Sequence, residues 1–271
     1  MTEVKKCIGV SIYPEVILNM PSSRMQKQIL ADFADGDTVL PWLKQMGVDS
    51  IELRMLNGKL SPDDYVHFLE KVWQEGLHTT IHGVLPETAP EQYVSLYQRV
   101  LSLSCDHQRE TVFTVHSLGS GSQTKAALCA LAQTLKAYPG LRLSLENQRI
   151  HDAEHLHFSM SCVAENAAAS HAGITWDMGH YAFNIQKEID ALPPRRILSQ
   201  VIHTHIHSLD DIGNTHHHLS ESPVKGYIEA LEECGYSGIY NLELFSKTYP
   251  ETLSPRKTLE DAVCLLKKML K

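Results

Sequence analysis

"LRLSLE", residues Leu141–Glu146, alternates leucine with arginine, serine and glutamate. Alternation with period two marks a strand whose two faces meet different surroundings. Leu141, Leu143 and Leu145 form the apolar face, leaving Arg142, Ser144 and Glu146 on the other. In a barrel strand the outward residues pack on helices and must be apolar, while the others line the barrel interior. The same division runs through the neighbouring segments. "ITWD" turns Thr175 and Asp177 inward, and "NLELF" turns in Asn241, Glu243 and Phe245. "TVFTVH" contributes Val112, Thr114 and His116, "TTIH" contributes Thr80 and His82, and "VIHTHIH" contributes His203, His205 and His207. The last inward residue of these strands is a metal-ligating type in nearly every case. That end of the strands is where barrel active sites form.

Working outward, eight short strand-like runs are separated by helix-like stretches: Cys7–Tyr13, Ser50–Met55, His78–His82, Thr111–His116, Arg142–Glu146, Gly173–Asp177, Val201–His207 and Ile239–Phe245. The intervening segments carry helix start signals. "SPDDYVHFLEKVWQ" has Ser61 as N-cap, Pro62 in the first turn and two acids against the helix dipole. "APEQYVSLYQRVLSL" and "LSPRKTLEDAVCLLKKML" open similarly, and glycines precede several strands, as in "QEGLHTTIH" and "YPGLRLSLE". Eight alternating units without a composition break predict a single (β/α)8 TIM barrel over residues 1–271. A doubly wound open sheet is the alternative, but the glycine-rich phosphate loop expected after its first strand is missing.

The bulk numbers agree with one barrel. The chain has 271 residues, 43% hydrophobic and 21% charged, so it can bury a substantial core. Its formal charge of −8 offers no long-range attraction for nucleic acid or anionic membranes, which disfavours those partners. Six cysteines are scattered without a CxxC pair and read as reduced thiols. "MTEVKK" runs straight into a strand-like segment, and no apolar run approaches the ~18 residues of a membrane span. The expectation is a cytoplasmic protein without a membrane partner, compatible with a homo-oligomer.

Histidine is the outlying residue type. Residues 203–219, "HTHIHSLDDIGNTHHHL", hold six of the sixteen. A lone histidine or glutamate at a strand end is ordinarily a hydrogen-bonded polar residue. Convergence is harder to explain that way, since the fold would bring Glu146, Asp177, His205 and Glu243 to one spot. Three carboxylates packed together repel and raise one another's pKa unless a cation sits among them. One imidazole with three carboxylates is a mixed nitrogen and oxygen set suited to Mn²⁺, Mg²⁺, Co²⁺, Fe²⁺ or Zn²⁺.

The series "TIHGVLPE", "FTVHSLGS", "LSLENQ", "TWDMGHYAFN", "HTHIHSLDD…NTHHHL" and "GYSGIYNLELF" resembles the xylose-isomerase-like barrel superfamily. Within it, the chain looks like the group containing sugar-phosphate isomerases/epimerases and endonuclease IV-type enzymes. The resemblance covers strands three to eight. It implies that Glu146, Asp177, His205 and Glu243 hold the metal of the epimerase branch. It also implies that His82 and His116 join Glu146 around an additional metal in the endonuclease IV branch, and that His180 and His216 belong to a third. The sequence departs from that pattern at Asn214, where the endonuclease branch has aspartate, leaving Asp210 or Asp211 as substitutes. Ser220-Glu221-Ser222 replaces a common Gly-x-Gly, and Ser208 stands where many members have aspartate.

Two chemistries follow. In an isomerase or epimerase of carbohydrate metabolism, the metal polarises the carbonyl of a small carbohydrate-like substrate and stabilises the enediolate. Glu146 and Glu243 would exchange the proton as base and acid. His180 and His207 would orient substrate hydroxyls, and Arg54 would hold a substrate oxyanion unless it forms a buried ion pair with Glu52. In an endonuclease IV-like phosphodiesterase, two or three metals activate water for in-line attack, but no insertion rich in Arg, Lys or aromatics suggests a DNA-contacting surface. A lyase or dehydratase would use the same residues. "HDAEHLH" (151–157) places His151 and His155 four apart, a spacing read as a solvated helix face, and "SLGSGSQ" (117–123) reads as a turn or a phosphate contact.

Overall fold

Eight parallel strands close on themselves in sequence order: β1 (Cys7–Ile12), β2 (Ser50–Arg54), β3 (His78–Gly83), β4 (Thr111–His116), β5 (Leu141–Glu146), β6 (Ala172–Asp177), β7 (Val201–Ile206) and β8 (Ile239–Leu242). The chain therefore forms a single (β/α)8 TIM barrel. The computed structural model describes residues 6–55, 60–84, 90–107, 110–116, 126–127, 130–131, 133, 136–138, 140–147, 172–184, 192–208, 216, 218–245 and 249–271.

The outer ring forms where its capping signals lie. Ser61 accepts from the Asp64 amide while Asp64 reaches back to the Ser61 amide, a reciprocal box that starts the helix Pro62–Gln74. Helix Pro255–Met269 begins at Ser254, whose side chain accepts from the Lys257 amide. Helices Pro90–His107 and Glu221–Glu233 follow β3 and β7. Gly76 and Gly235 adopt positive φ just past helix ends, a conformation that an L side chain would strain. Between β1 and β2 the chain adds helices Arg24–Phe33 and Val39–Gln45. The former opens on a second capping box, between Ser23 and Gln26. Among the described residues, no helix is long and apolar enough to cross a membrane.

Strand stagger positions the mouth of the barrel. His82 lies beside Thr114 rather than His116, Glu146 beside Thr175 rather than Asp177, and His205 beside Asn241 rather than Glu243. Such offsets tilt the strands and close the barrel. Outward residues such as Leu143, Ile174, Trp176 and Tyr240 are buried in the apolar shell with Tyr227, Val263 and Leu266 of the helices. The interior is polar where many barrels carry branched aliphatic layers: Ser11, Glu52, Thr80, Thr114, Ser144, Thr175, His203 and Asn241 are all buried. Thr175 donates to Ser144 at 2.6 Å and sits 2.9 Å from the Thr114 hydroxyl, so these groups satisfy one another.

Several strand bounds differ by a single residue from the sequence expectation, and β8 departs furthest. β1 stops at Ile12, and Tyr13 caps a four-residue helix, Pro14–Ile17. β8 stops at Leu242, and Phe245 lies beyond it with φ +88°. The Phe245 ring meets Tyr249 edge-on with centroids 5.3 Å apart, and its carbonyl accepts from the Tyr13 hydroxyl. Period-two alternation therefore does not extend to Phe245. Its backbone has left the strand conformation to make these contacts.

Candidate metal centre

Glu146 ends β5, Asp177 ends β6, His205 lies near the end of β7 and Glu243 follows β8. All four are buried. Ligand atoms of these four lie within 4.8 Å of one another. His205 Nδ1 is 3.1 Å from Glu243 Oε2, 3.3 Å from Glu146 Oε2 and 3.9 Å from Asp177 Oδ2. Yet His205 Nδ1, both Glu146 oxygens and Glu243 Oε2 lack a hydrogen bond of acceptable geometry. Buried lone pairs that converge without being satisfied are costly unless a cation occupies their focus. The donor set therefore fits a divalent metal of the kind that accepts nitrogen and oxygen together.

A second group adjoins the first. His82 Nε2 and His116 Nε2 stand 3.1 and 3.0 Å from the same oxygen, Glu146 Oε2. Neither nitrogen of buried His82 forms a hydrogen bond. His82, Glu146 and His205 also bring ligand atoms within 4.8 Å of one another. Glu146 and His205 thus belong to both clusters.

A third group forms beside Asp177. The helix Met178–Asn184 begins directly after β6, which puts His180 one turn beyond Asp177. His180 Nδ1 lies 3.0 Å from the carbonyl of Asn147, and His216 Nδ1 lies 2.8 Å from the carbonyl of Glu243. A carbonyl can only accept, so in both rings Nδ1 donates, and Nε2 is the nitrogen not committed to the main chain. His207 differs, because its Nε2 meets both Asp177 oxygens at 2.9 and 3.1 Å while its Nδ1 accepts from the His216 amide at 3.3 Å. Both nitrogens of His207 are thereby occupied within the protein. Ligand atoms of His180, His207 and His216 fall within 4.8 Å of one another.

Electrostatics follow from this packing. Burial pushes the Glu146 carboxyl up, but His116, His205 and His82 outweigh it and leave its pKa well below the usual carboxylate range. Glu243 is likewise raised by burial and brought well below that range by His205 and Arg54. Asp177 is lowered against burial by His180 and His207. Burial pulls His82 down, yet Glu146 and Glu52 carry it up to about 9. His180 is also depressed by burial and raised, chiefly by Asp177, to about 9. His216 goes the other way, to about 3, through burial and the neighbouring His207. A neutral imidazole is the form that ligates metal.

Arg54 meets Glu243 rather than Glu52, with Nη2 3.1 Å from Oε1, and its guanidinium lies 4.9 Å over the Tyr13 ring. Sequence reasoning did not single out Asn147 or Gly179, nor the pairing of Glu52 with Ser11, His203, His205 and Asn241. Asn147, the residue after β5, clamps Asp177, accepting from its amide at 2.8 Å and donating to its carbonyl at 2.9 Å. The pairing depends on two strand ends meeting, which no local pattern announces. Gly179 faces the His207 ring so closely that a Cβ there would sit 1.8 Å from Cε1. The glycine between two singled-out residues in "DMGH" was its only signal. Asn214, Asp210, Asp211 and His217, with the 117–123 and 151–157 segments, lie outside the described residues.

No family model matches the chain, and no curated protein matches it. Solved structures do. A crystal structure of AP endonuclease, family 2, from Brucella melitensis is 13% identical, with 97% of this chain and 98% of that one covered and a TM-score of 0.55. The crystal structure of AsfvAP:AG is 14% identical over 98% of this chain and 99% of that one, also at 0.55. Active domain 2 of a thermostable chitinase from Pyrococcus furiosus is 12% identical over 96% and 95%, at 0.54. At these identities the likeness is one of fold.

Proposed function

We propose that the chain is a divalent-metal-dependent isomerase or epimerase acting on a sugar or sugar phosphate. The observation that carries this reading is the pair of buried, ionised carboxylates, Glu146 at the end of β5 and Glu243 just after β8, placed 3.3 and 3.1 Å from His205 Nδ1. A metal held by Glu146, Asp177, His205 and Glu243 supplies Lewis-acid polarisation of a substrate carbonyl. One carboxylate then takes the proton from the adjacent carbon. The resulting carboxylic acid returns it to the neighbouring carbon in isomerisation, the substrate's hydroxyl proton passing to the former carbonyl oxygen. Epimerisation requires the counterpart carboxylate first to take a proton from water and then deliver it to the other face of the same carbon. Arg54, half of an ion pair with Glu243 and braced on Tyr13, presents positive charge to a substrate oxygen. His180 orients the hydroxyls, whereas His207, with both ring nitrogens engaged, acts by holding Asp177 in place.

A second reading is an endonuclease IV-like phosphodiesterase with two or three metals. It is favoured by His82 and His116 meeting on one oxygen of Glu146, and by the Nδ1 anchors of His180 and His216, which leave both Nε2 atoms uncommitted to the main chain. The AP endonuclease among the structural neighbours is consistent with it. The formal charge of −8 weighs against a polynucleotide substrate.

Two assays on metal-loaded protein separate the readings. Solvent-deuterium incorporation into a ketose or ketose phosphate, without nicking of an abasic-site duplex, supports the isomerase. Efficient nicking without exchange replaces it with the phosphodiesterase. In the isomerase, Glu146→Gln and Glu243→Gln should each lower exchange by about 10²–10⁴-fold while the circular dichroism spectrum stays native.

A further inference from the structure

Beneath the metal cluster, one carboxylate gathers donors from three other strands. Glu52 lies on β2 and is fully buried. Its Oε1 accepts from the Ser11 hydroxyl of β1 at 2.5 Å and from the Asn241 amide of β8 at 3.3 Å. Its Oε2 lies 3.0 Å from His203 Nε2 and 3.0 Å from His205 Nε2, both on β7. Asn241 also donates to Ser11 at 2.8 Å, which fixes the hydroxyl hydrogen on Glu52. Four donors therefore surround an anion that needs no proton of its own. Gly9 makes room for this arrangement, since a Cβ there would sit 2.6 Å from Asn241 Oδ1.

We infer that Glu52 is a positioning residue that holds His205 with Nε2 protonated and Nδ1 directed at the metal. The reasoning is one of atoms. A carboxylate can only accept, so the ring nitrogen facing Glu52 must donate. The other nitrogen, Nδ1, is the one 3.1 to 3.9 Å from Glu243, Glu146 and Asp177, and it has no hydrogen-bond partner. A carboxylate that takes the outer N–H of a ligating histidine fixes its tautomer and ring plane and raises its basicity as a ligand. His203 shares the same oxygen and keeps the carboxylate from rotating toward His205 alone. This inference rests on the metal reading proposed above, but not on the choice between isomerase and phosphodiesterase.

The test uses the full chain and Zn²⁺, with affinity measured by chelator competition and the His205 tautomer read from long-range ¹H–¹⁵N correlations. In the wild-type protein, Zn²⁺ should ligate Nδ1 of His205 while Nε2 keeps its proton. Glu52→Gln keeps the shape but presents an amide, and should weaken Zn²⁺ about 10–100-fold and erase that tautomer signature. Ser11→Ala leaves the charge and removes one anchor, and should weaken binding by a smaller factor with the tautomer retained. It also stands in if Glu52→Gln fails to fold. Unchanged affinity in a folded Glu52→Gln protein, or in Ser11→Ala when Glu52→Gln does not fold, overturns the inference while sparing the metal reading. So does Zn²⁺ found on Nε2 of His205, which would make Glu52 and His203 ligands themselves. A wild-type chain that binds no Zn²⁺ overturns both.

Discussion

At the scale of single residues, the site is governed by which ring nitrogen each histidine leaves available. His180 and His216 spend Nδ1 on main-chain carbonyls, whereas His205 faces Glu52 with Nε2 and the carboxylate cluster with Nδ1. His207 spends both, and its place depends on the missing side chain at Gly179. Gly179→Ala would put a Cβ inside the imidazole, so the ring must move and Asp177 loses its brace. Because misplacing a group of a reacting site by about 1 Å costs on the order of 10²-fold in rate, turnover should fall by at least tenfold under the proposed function. Overpacking should also cost about 1–3 kcal/mol in urea unfolding. Native turnover in that variant would mean that His207 has no positioning role.

Elements matter through their ends. The tips of β5 and β6 are joined by Asn147, which satisfies the amide and the carbonyl of Asp177 at once. Removing it in Asn147→Ala leaves two buried main-chain groups unmet, worth about 1–3 kcal/mol each, and frees Asp177, a proposed ligand. Both stability and Zn²⁺ affinity should drop. Ser61→Ala is the contrasting case. It deletes the capping box of the outer helix Pro62–Gln74 and should cost about 1 kcal/mol, with metal affinity unchanged. Parallel melts and zinc titrations of the two variants compare them directly, and an affinity loss in Ser61→Ala would show that the ring and the mouth are coupled.

For the whole molecule, the buried ionisable cluster sets the pH dependence of stability in the metal-free state. His82 and His180, with pKa values raised to about 9, contribute stability that is fully present below the unfolded imidazole value and lost as pH climbs through about 9. Lowered His203 and His216 act oppositely, so stability rises with pH up to the unfolded value, near ~6.5. The lowered Glu52, Glu146, Asp177 and Glu243 add stability above the ordinary carboxylate range that is lost on acidification. Thermal melts in chelator should therefore peak near ~pH 6.5 and decline on both sides. Saturating Zn²⁺ should flatten the alkaline limb, because ligating imidazoles are neutral in the complex. An alkaline decline that zinc leaves unchanged would place the titrating groups elsewhere.

By itself, the sequence determined the barrel and the face on which its polar residues gather. Period two in "LRLSLE" and its counterparts assigns each strand residue to shell or interior, and eight such runs leave few other closures. The same parity placed Glu146, Asp177 and His205 on one side, and the structure brings them together with Glu243. Parity says nothing about height within the barrel or about rotation of a ring. Strand stagger decided that His205 sits beside Asn241, that Arg54 meets Glu243, and that Glu52 lies under β7 within reach of two imidazoles. Those pairings join residues far apart in the chain, and their geometry comes from closing the sheet. A linear pattern can name the donors around the site, but only the closed barrel assigns each donor its acceptor.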